Sequence, residues 1–476
     1  MRVLLIKPAR VGQVGLDRTA LVEPLGLEMV GACLPQHEVR ILDLRVDADL
    51  SRVLREFQPQ VCGLGCAFTT ETRSCLELAR AIKAALPDCA VIVGGPPPSL
   101  SPEDFADPAV DAIVVGEAEA TVPELFAALE SGQPLDAVPG LVIAGVAWQH
   151  STPPRPAISD LDQFPFPARH LVAGHARRYY MGLQRPHALV ETARGCQHRC
   201  RFCAVWKFHR GRVRYKSPAR VVAELEQVRA PYVFFADDNF LSDVPRAQQI
   251  ADLIRAARIR KTYTFQCRAD TIANHPEVLR QWRELGRFTV FVGLEKVEQG
   301  GLDEIRKRSS VDDNERAIET LKRLDIGFSA NFIVPTDAAP RDFEVLREYV
   351  RRHGLHGAGF SVLTPLPGTD LYEEVRETIT AEDCELFDLF HAVTPTRLPL
   401  EEFYREFAGM WATTRAVGGG KRGPRAWKLV KALLSGRVSW SSLRLGLNMP
   451  RTLSDPRVYL QGHRPAPDGC DTILKT

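Results

Sequence analysis

Three cysteines in a CxxxCxxC spacing, Cys196, Cys200 and Cys203 in GCQHRCRFCAVW, are the residues of this chain best placed to do chemistry. Thiolates hold iron-sulfur clusters, and three of them close together ligate three irons of a 4Fe-4S cluster while the fourth stays open to a cofactor or substrate. A structural zinc ion would need a fourth ligand, for which His198 or His209 would have to serve. Cys33, Cys62, Cys66, Cys75, Cys89, Cys267, Cys384 and Cys470 are scattered through apolar or amphipathic segments and read mostly as buried, inert thiols.

The triplet directly follows a strand candidate, ALVETA (188–193). Five more follow, YVFFAD (232–237), YTFQC (263–267), FTVFVGLE (288–295), GFSANFIV (327–334) and GFSVLTP (359–365), separated by helical patterns such as NERAIETLKRL. Helices between strands require parallel crossovers. Six such units predict a partial barrel whose chemistry sits on loops at the strand C-termini. Asp237, Asp238 and Asn239 in FFADDNF, Arg268 in CRAD and Glu295 in VGLEK stand at those ends. An acid there could instead cap the following helix.

Residues 1–147 alternate short apolar runs (VLLIKP, VRILDL, VCGLGC, AVIVGG, AIVVGE) with helical segments such as ETRSCLELARAIKAALP. Continuous apolar strands imply a parallel sheet covered on both faces, with ligands bound beyond its carboxyl ends. Gly63, Gly65, Gly94, Gly95 and Gly116 lie there and would let a large cofactor approach backbone. Residues 148–187, with PPRP and FPFP, read as a proline-rich connector. The barrel is expected over 188–374 and a helical region over 375–476. The expected fold class is thus α/β, a doubly wound Rossmann-like parallel sheet followed by a (β/α)6 partial barrel and helices.

Over 476 residues the formal net charge is only +2, which offers no global reason to expect a nucleic acid partner. The apolar run of MRVLLIKPAR is too short for a signal sequence and no stretch reaches the length of a spanning helix, so a cytoplasmic protein with reduced thiols is expected. Near the end, Lys421, Arg422, Arg425, Lys428 and Lys431 flank Trp427, Leu429, Val430, Leu433 and Leu434. That pattern is a short basic amphipathic helix, suited either to an anionic membrane surface or to packing on the barrel.

The triplet, on the loop after the first barrel strand, resembles the motif of the radical S-adenosylmethionine superfamily. The resemblance implies that the cofactor's methionine amino and carboxylate groups chelate the open iron, and that one-electron reduction, from a donor such as ferredoxin or flavodoxin, yields a 5'-deoxyadenosyl radical. Phe202 matches the aromatic residue common before the last cysteine. By the same resemblance Asp237, Asp238 and Asn239 contact the methionine portion, and Arg268 and Glu295 the carboxylate and ribose.

The sheet before the barrel resembles the cobalamin-binding domain of many such enzymes, through GLGCAFTTETR (63–73), GGPPPS (94–99) and GEAEATVPEL (116–125). The resemblance places Gly65, Cys66, Thr69, Gly94, Gly95 and Pro96 at the cobalamin, and Gly116 and Glu117 at its nucleotide tail. There is no DxHxxG motif, and Pro97 stands where the family often has the histidine of GGPHPT, so no protein histidine is expected on cobalt. A cofactor-free structural domain is the bland alternative. A second cluster on Cys33, Cys66 and Cys89, as in methylthiotransferases, lacks the cysteine those enzymes carry after the first strand.

ALVETARGCQHRCRFCAVWKFHRGRVRYKSP, PYVFFADDNFL, LTPLPGTDLYE and ELFDLFHAVTPTRLPLEEFYREF are similar to segments of hopanoid C-3 methylases. This implies a methyltransferase that methylates an unactivated carbon of a hopanoid lipid, using a 5'-deoxyadenosyl radical and methylcobalamin. A rigid polycycle calls for an apolar cleft, with Phe202, Trp206, Phe208 and Tyr215 as candidate walls. The alternatives are a cobalamin-dependent cyclase, ring-contracting or oxidising enzyme on another substrate, and a non-catalytic cobalamin or redox sensor.

Overall fold

The computed structural model describes residues 1–9, 20–143, 150–418 and 451–463. The basic segment at 421–434 and Cys470 lie outside the described residues.

The first strands are β1 (Arg2–Lys7), β2 (Ala20–Leu21), β3 (Glu38–Asp43), β4 (Val61–Gly65), β5 (Ala90–Gly94), β6 (Ala112–Val114), β7 (Leu141–Ile143) and β8 (His150–Ser151). All but β2 form one sheet in the order β3-β1-β4-β5-β6-β7-β8. It is parallel from β3 to β6, and β7 and β8 return antiparallel. The antiparallel edge departs from the all-parallel expectation, and β8 lies within the stretch read as connector. Val3, Leu4, Ile6, Val91 and Val93 are wholly buried because helices cover both faces, as their uninterrupted apolar runs require.

β9 (Tyr180–Met181) pairs with β2, outside the large sheets. Then come β10 (His187–Val190), β11 (Ala193–Arg194), β12 (Arg214–Tyr215), β13 (Tyr232–Phe235), β14 (Thr262–Arg268), β15 (Phe288–Glu295), β16 (Gly327–Val334) and β17 (Gly359–Val362). A second sheet runs β10-β13-β14-β15-β16-β17, every pair parallel. Its crossover helices begin where the sequence supplies caps. Ser217 accepts from the Arg220 N–H, Asp243 from the Arg246 N–H, and Ser310 forms a capping box with Asp313.

The two faces of this half-barrel differ sharply. Residues facing the helices, such as Val233, Phe235, Phe265, Val290, Val292 and Phe332, are buried, and Phe235, Phe240, Tyr263 and Phe265 gather around Trp282. Those facing inward, Phe234, Gln266, Phe291, Asn331 and Ser361, are half-buried or exposed. A closed eight-stranded barrel fills its interior with side chains, whereas this lumen is open.

Both open edges are covered. The Leu189 N–H of β10 donates to Glu23 at 2.7 Å and its carbonyl accepts from Arg169 at 2.6 Å. On β17 the Val362 N–H donates to the Leu389 carbonyl at 2.8 Å, bringing residues 380–393 over the barrel's end. The helix Leu400–Val417 packs on Pro340–Arg352 through Phe403 and Phe343, and Tyr459 stacks on Tyr404. Among the described residues no helix is long and apolar enough to cross a membrane.

Candidate active site

The cysteine loop is pinned at its base before it departs. Asp237, at the end of β13, accepts from the Thr192 N–H at 2.6 Å, the Ala193 N–H at 3.1 Å and the Thr192 hydroxyl. Both oxygens are therefore engaged in joining two neighbouring strand ends. Asp237 therefore positions the base of the loop. Next, β11 and β12 pair as a hairpin around residues 195–213. Gly195 has φ +89°, and a Cβ there would lie 2.1 Å from the Arg212 carbonyl oxygen, so only glycine closes this neck.

Within the loop Cys200 is buried and Cys196 and Cys203 are half-buried. The Cys203 N–H donates to the Cys200 carbonyl at 3.1 Å, and Trp206 Nε1 donates to the same oxygen at 3.0 Å. Burial pushes all three thiols up, Cys203 to about 12, while Lys307 and Arg268 pull Cys200 the other way. Without a bound metal such thiols stay protonated, and iron is what stabilises them as thiolates. Among the described residues no three His, Cys, Asp or Glu side chains gather closely enough to hold a single metal ion. Three free thiols beside a cationic flank fit a cluster held by three cysteines.

The adjoining strand ends differ in what they have left to offer. Desolvation first, then the carboxylates of Asp237 and Glu191, push Asp238 up to about 7, although its side chain faces open space. Asn239 is buried, and neither its amide oxygen nor its nitrogen has a partner. An orphaned amide at this depth is costly unless a ligand satisfies it. Arg268 binds Asp270 at 2.9 Å and the Lys307 carbonyl at 2.7 Å. Glu295 ends β15 after a bulge, with φ +63°, and pairs with Lys307 Nζ at 2.7 Å. Lys307, which the sequence reading missed, thus joins two expected site residues and faces Cys200. Phe202, next to Cys203 in the chain, is half-buried.

On the other domain, Lys7 pairs with buried Glu71, which accepts from the Ala67 N–H at 2.7 Å and shapes the turn after β4. Neither residue was legible as a site element. Thr69, Pro96 and Phe68 line one wall of an open apolar cleft; Ala204 of the cysteine loop, Leu366 and Phe387 line others. The two domains and the C-terminal segment therefore enclose one space.

The strand-end glycines are not all there for a cofactor. At Gly95 (φ +126°) a Cβ would sit 1.9 Å from the Cys66 carbonyl oxygen, and at Gly65 it would sit 2.7 Å from Leu27. Both answer the protein's own packing. Gly94 meets only an ordinary contact with Val114, and Gly116 (φ +85°) faces open space, as close approach of a ligand requires. The Cys66 thiol is buried and donates to the Phe68 carbonyl at 3.4 Å.

Glu117 reaches out of the first domain to Arg194 at 3.1 Å and Arg214 at 2.6 Å, the two arms of the cysteine hairpin. Burial alone would raise it, but the two guanidiniums hold its carboxyl below the usual range. With Gly116, Phe208 and Lys207 it borders a second recess that meets the first at Leu100. Of the aromatic residues expected to wall the cleft, Phe208 lines this recess, Trp206 braces Cys200, and Tyr215 donates to Ser242 at 3.2 Å.

The B12 binding domain family matches residues 14–126 and the Radical SAM superfamily matches residues 190–344. The chain is 34% identical over 392 residues to a hopanoid C-3 methylase of Methylococcus capsulatus, covering 81% of this chain and 75% of that one. It is 28% identical over 361 residues to an anaerobic magnesium-protoporphyrin IX monomethyl ester cyclase of Synechocystis sp., covering 73% and 70%. Among solved structures, OxsB with aqua-cobalamin bound superimposes with a TM-score of 0.70 at 16% identity, covering 97% of this chain and 75% of that one. TsrM from Kitasatospora setae, with cobalamin and a [4Fe-4S] cluster bound, gives 0.63 at 20% identity, covering 80% and 76%. These two likenesses concern the fold. With the open triplet and the cleft between two matched domains, they lead to one conclusion: this chain belongs to the cobalamin-binding radical S-adenosylmethionine enzymes, whose cofactors are a 4Fe-4S cluster, S-adenosylmethionine and cobalamin.

Proposed function

We propose that this enzyme methylates an unactivated carbon of a hopanoid lipid, at C-3, acting in the cytoplasm or at the inner face of the membrane. The observation that carries this reading is the 34% identity to a hopanoid C-3 methylase across 81% of the chain. An apolar cleft and an open lumen with Phe234 and Phe291 in edge-to-face contact at 6.0 Å support it, since a fused-ring skeleton seats on apolar and aromatic walls.

Bound together, the three cofactors supply one-electron cleavage and a transferable methyl group. Cys196, Cys200 and Cys203 would ligate the cluster. Asp238 and Asn239, with Arg268 and Glu295 framed by Lys307, would hold S-adenosylmethionine, and backbone near Gly94 and Pro96 with Thr69 would meet cobalamin. Residues 380–393 would exclude water from above. Gln266, exposed amid a buried strand beside Phe291, would orient the substrate. A protein donor of the ferredoxin or flavodoxin class would deliver the electron.

The test is mass spectrometry of lipid extracts from cells with and without this chain, together with the anaerobically reconstituted enzyme and a pentacyclic hopanoid. One added methylene on the polycycle is expected. An unchanged lipid, with turnover of a porphyrin ester instead, would replace this reading by the cyclase reading that the 28% identical relative favours.

A further inference from the structure

Below the strand ends, the half-barrel holds polar residues that the cofactor sites leave unused. Along β14 to β17 the residues facing the helices belong to the buried core, so the alternate positions line the lumen. Those positions carry Thr264, Gln266, Thr289, Ser329, Asn331 and Ser361, with the ring of Phe291 among them. In β13 to β17 the only charged residues are Arg268 and Glu295, each the last of its strand. The lumen wall is therefore polar and neutral. His187, on the lumen side of β10, is neutral as well, because burial pushes its ring down to about 4, and neither of its nitrogens has a partner.

Two of these side chains are free to bind. Gln266 is the one exposed residue of β14, and among the described residues its amide has no hydrogen-bond partner. The Asn331 amide oxygen is kept clear by Gly359 on the next strand, where a Cβ would lie 2.5 Å from it. The Ser329 hydroxyl reaches that oxygen at 3.4 Å but makes its shorter bond, 2.8 Å, to the Gly357 carbonyl. Phe291 and Gly293 of β15 stand between the two amides, which sets them two strand spacings apart, about 10 Å. They lie two and three residues below their strand ends, about 7 and 10 Å deep.

We infer that the lumen selects a hopanoid whose side chain carries neutral hydroxyl groups, with Gln266 and Asn331 taking those hydroxyls. The inference rests on the reading that the enzyme methylates a hopanoid. A primary amide both donates and accepts, which matches a hydroxyl. A bare hydrocarbon would cover the amides and leave them unpaired, and an acid would bring its charge to a wall without a cation. The placement also agrees with methylation at C-3, which lies on the ring farthest from the side chain. With the hydroxyls held below the strand ends, the fused rings extend up toward the cysteine loop and the cleft.

The test is competition among three substrates of the reconstituted holoenzyme in the same detergent micelles: a pentacyclic hopene, the same skeleton with a polyhydroxylated side chain, and one whose side chain ends in a carboxylate. Mass spectrometry of the methylated products gives the ratios of kcat/KM. In wild type the polyhydroxylated substrate should be preferred to both others by about tenfold or more. Gln266→Leu should bring its ratio to the hopene close to one, Asn331→Ser should reduce it, and Gln266→Lys should raise the share of the carboxylate. Equal use of hopene and polyol by wild type would overturn the inference without any variant, as would a preference for the carboxylate. So would an undiminished preference in Gln266→Leu. Methylation of none of the three, by an enzyme that still forms 5'-deoxyadenosine, would refute the hopanoid reading itself.

Discussion

Glu117, at the end of the cobalamin-side sheet, and Arg214, on the hairpin that closes the cysteine loop, meet at 2.6 Å across the domain boundary. Arg194 joins them and also pairs with Glu119. All four side chains are almost buried, so this ion-pair cluster ties the cysteine hairpin to the cobalamin-side sheet. Removing the carboxylate leaves two buried guanidiniums under-compensated. Glu117→Ala should therefore destabilise the protein by about 3 kcal/mol in urea unfolding. It should also weaken cobalamin binding while leaving iron-sulfur absorbance largely intact. A stability within error of wild type would show that Glu119 and Glu191 alone balance the hairpin.

Cys200 is the most buried member of the triplet, and its carbonyl anchors both Cys203 and Trp206. The anchoring is by backbone, so a side-chain change removes a ligand without removing the loop. Cys200→Ala should abolish S-adenosylmethionine cleavage while cobalamin still binds. Formation of 5'-deoxyadenosine by that variant would sink the cluster assignment.

Gly95 and Gly116 should respond to alanine in opposite ways. Gly95→Ala drives a methyl group into the Cys66 carbonyl and should break the turn between β5 and the short helix Pro96–Leu100. Gly116→Ala meets no atom and costs only the left-handed backbone, about 1 kcal/mol. Thermal melts of the apoprotein should separate them clearly, and cobalamin titration should show Gly116→Ala impaired beyond its small stability loss if the cofactor approaches there. Equal melting temperatures would contradict the packing argument.

Glu28, on the helix Leu25–Ala32, is wholly buried with both oxygens unpartnered. Desolvation, then Glu23 and Glu224, raise it from 4.5 to about 9, and Arg169 opposes them. Because the folded value lies above the unfolded one, its contribution to stability is full below about pH 4.5 and is lost as pH rises toward 9. Urea midpoints at about pH 6 and about pH 8.5 should fall with pH in wild type and less steeply in Glu28→Gln. Parallel slopes would show that Glu28 does not carry the linkage.

Much of the chemistry was legible in the chain because it is local. The spacing of Cys196, Cys200 and Cys203 is a property of eight consecutive residues, and the six strands with helices between them admit few topologies once crossovers must be parallel. The observed barrel strands coincide with those expected over Phe288–Glu295 and Gly327–Val334, where apolar alternation is long and caps are clear. The ends of shorter strands were less legible. ALVETA divides into β10 and the separate β11 because Asp237, distant in sequence, takes over the amides of Thr192 and Ala193.

What only the tertiary structure decided is which polar residues remain available. Asp237 and Asp238 are adjacent and chemically identical, yet one is consumed by the neighbouring strand end and the other faces open space. Gly65, Gly95 and Gly116 look alike in sequence, but two are crowded by Leu27 and Cys66 and one is not. The triplet's chemistry follows from residue type and spacing, which the chain carries in itself. Availability depends on partners that the chain brings in from elsewhere, 12 residues away for Lys307 and Glu295 and 97 for Arg214 and Glu117, and those are set only when sheets and loops pack.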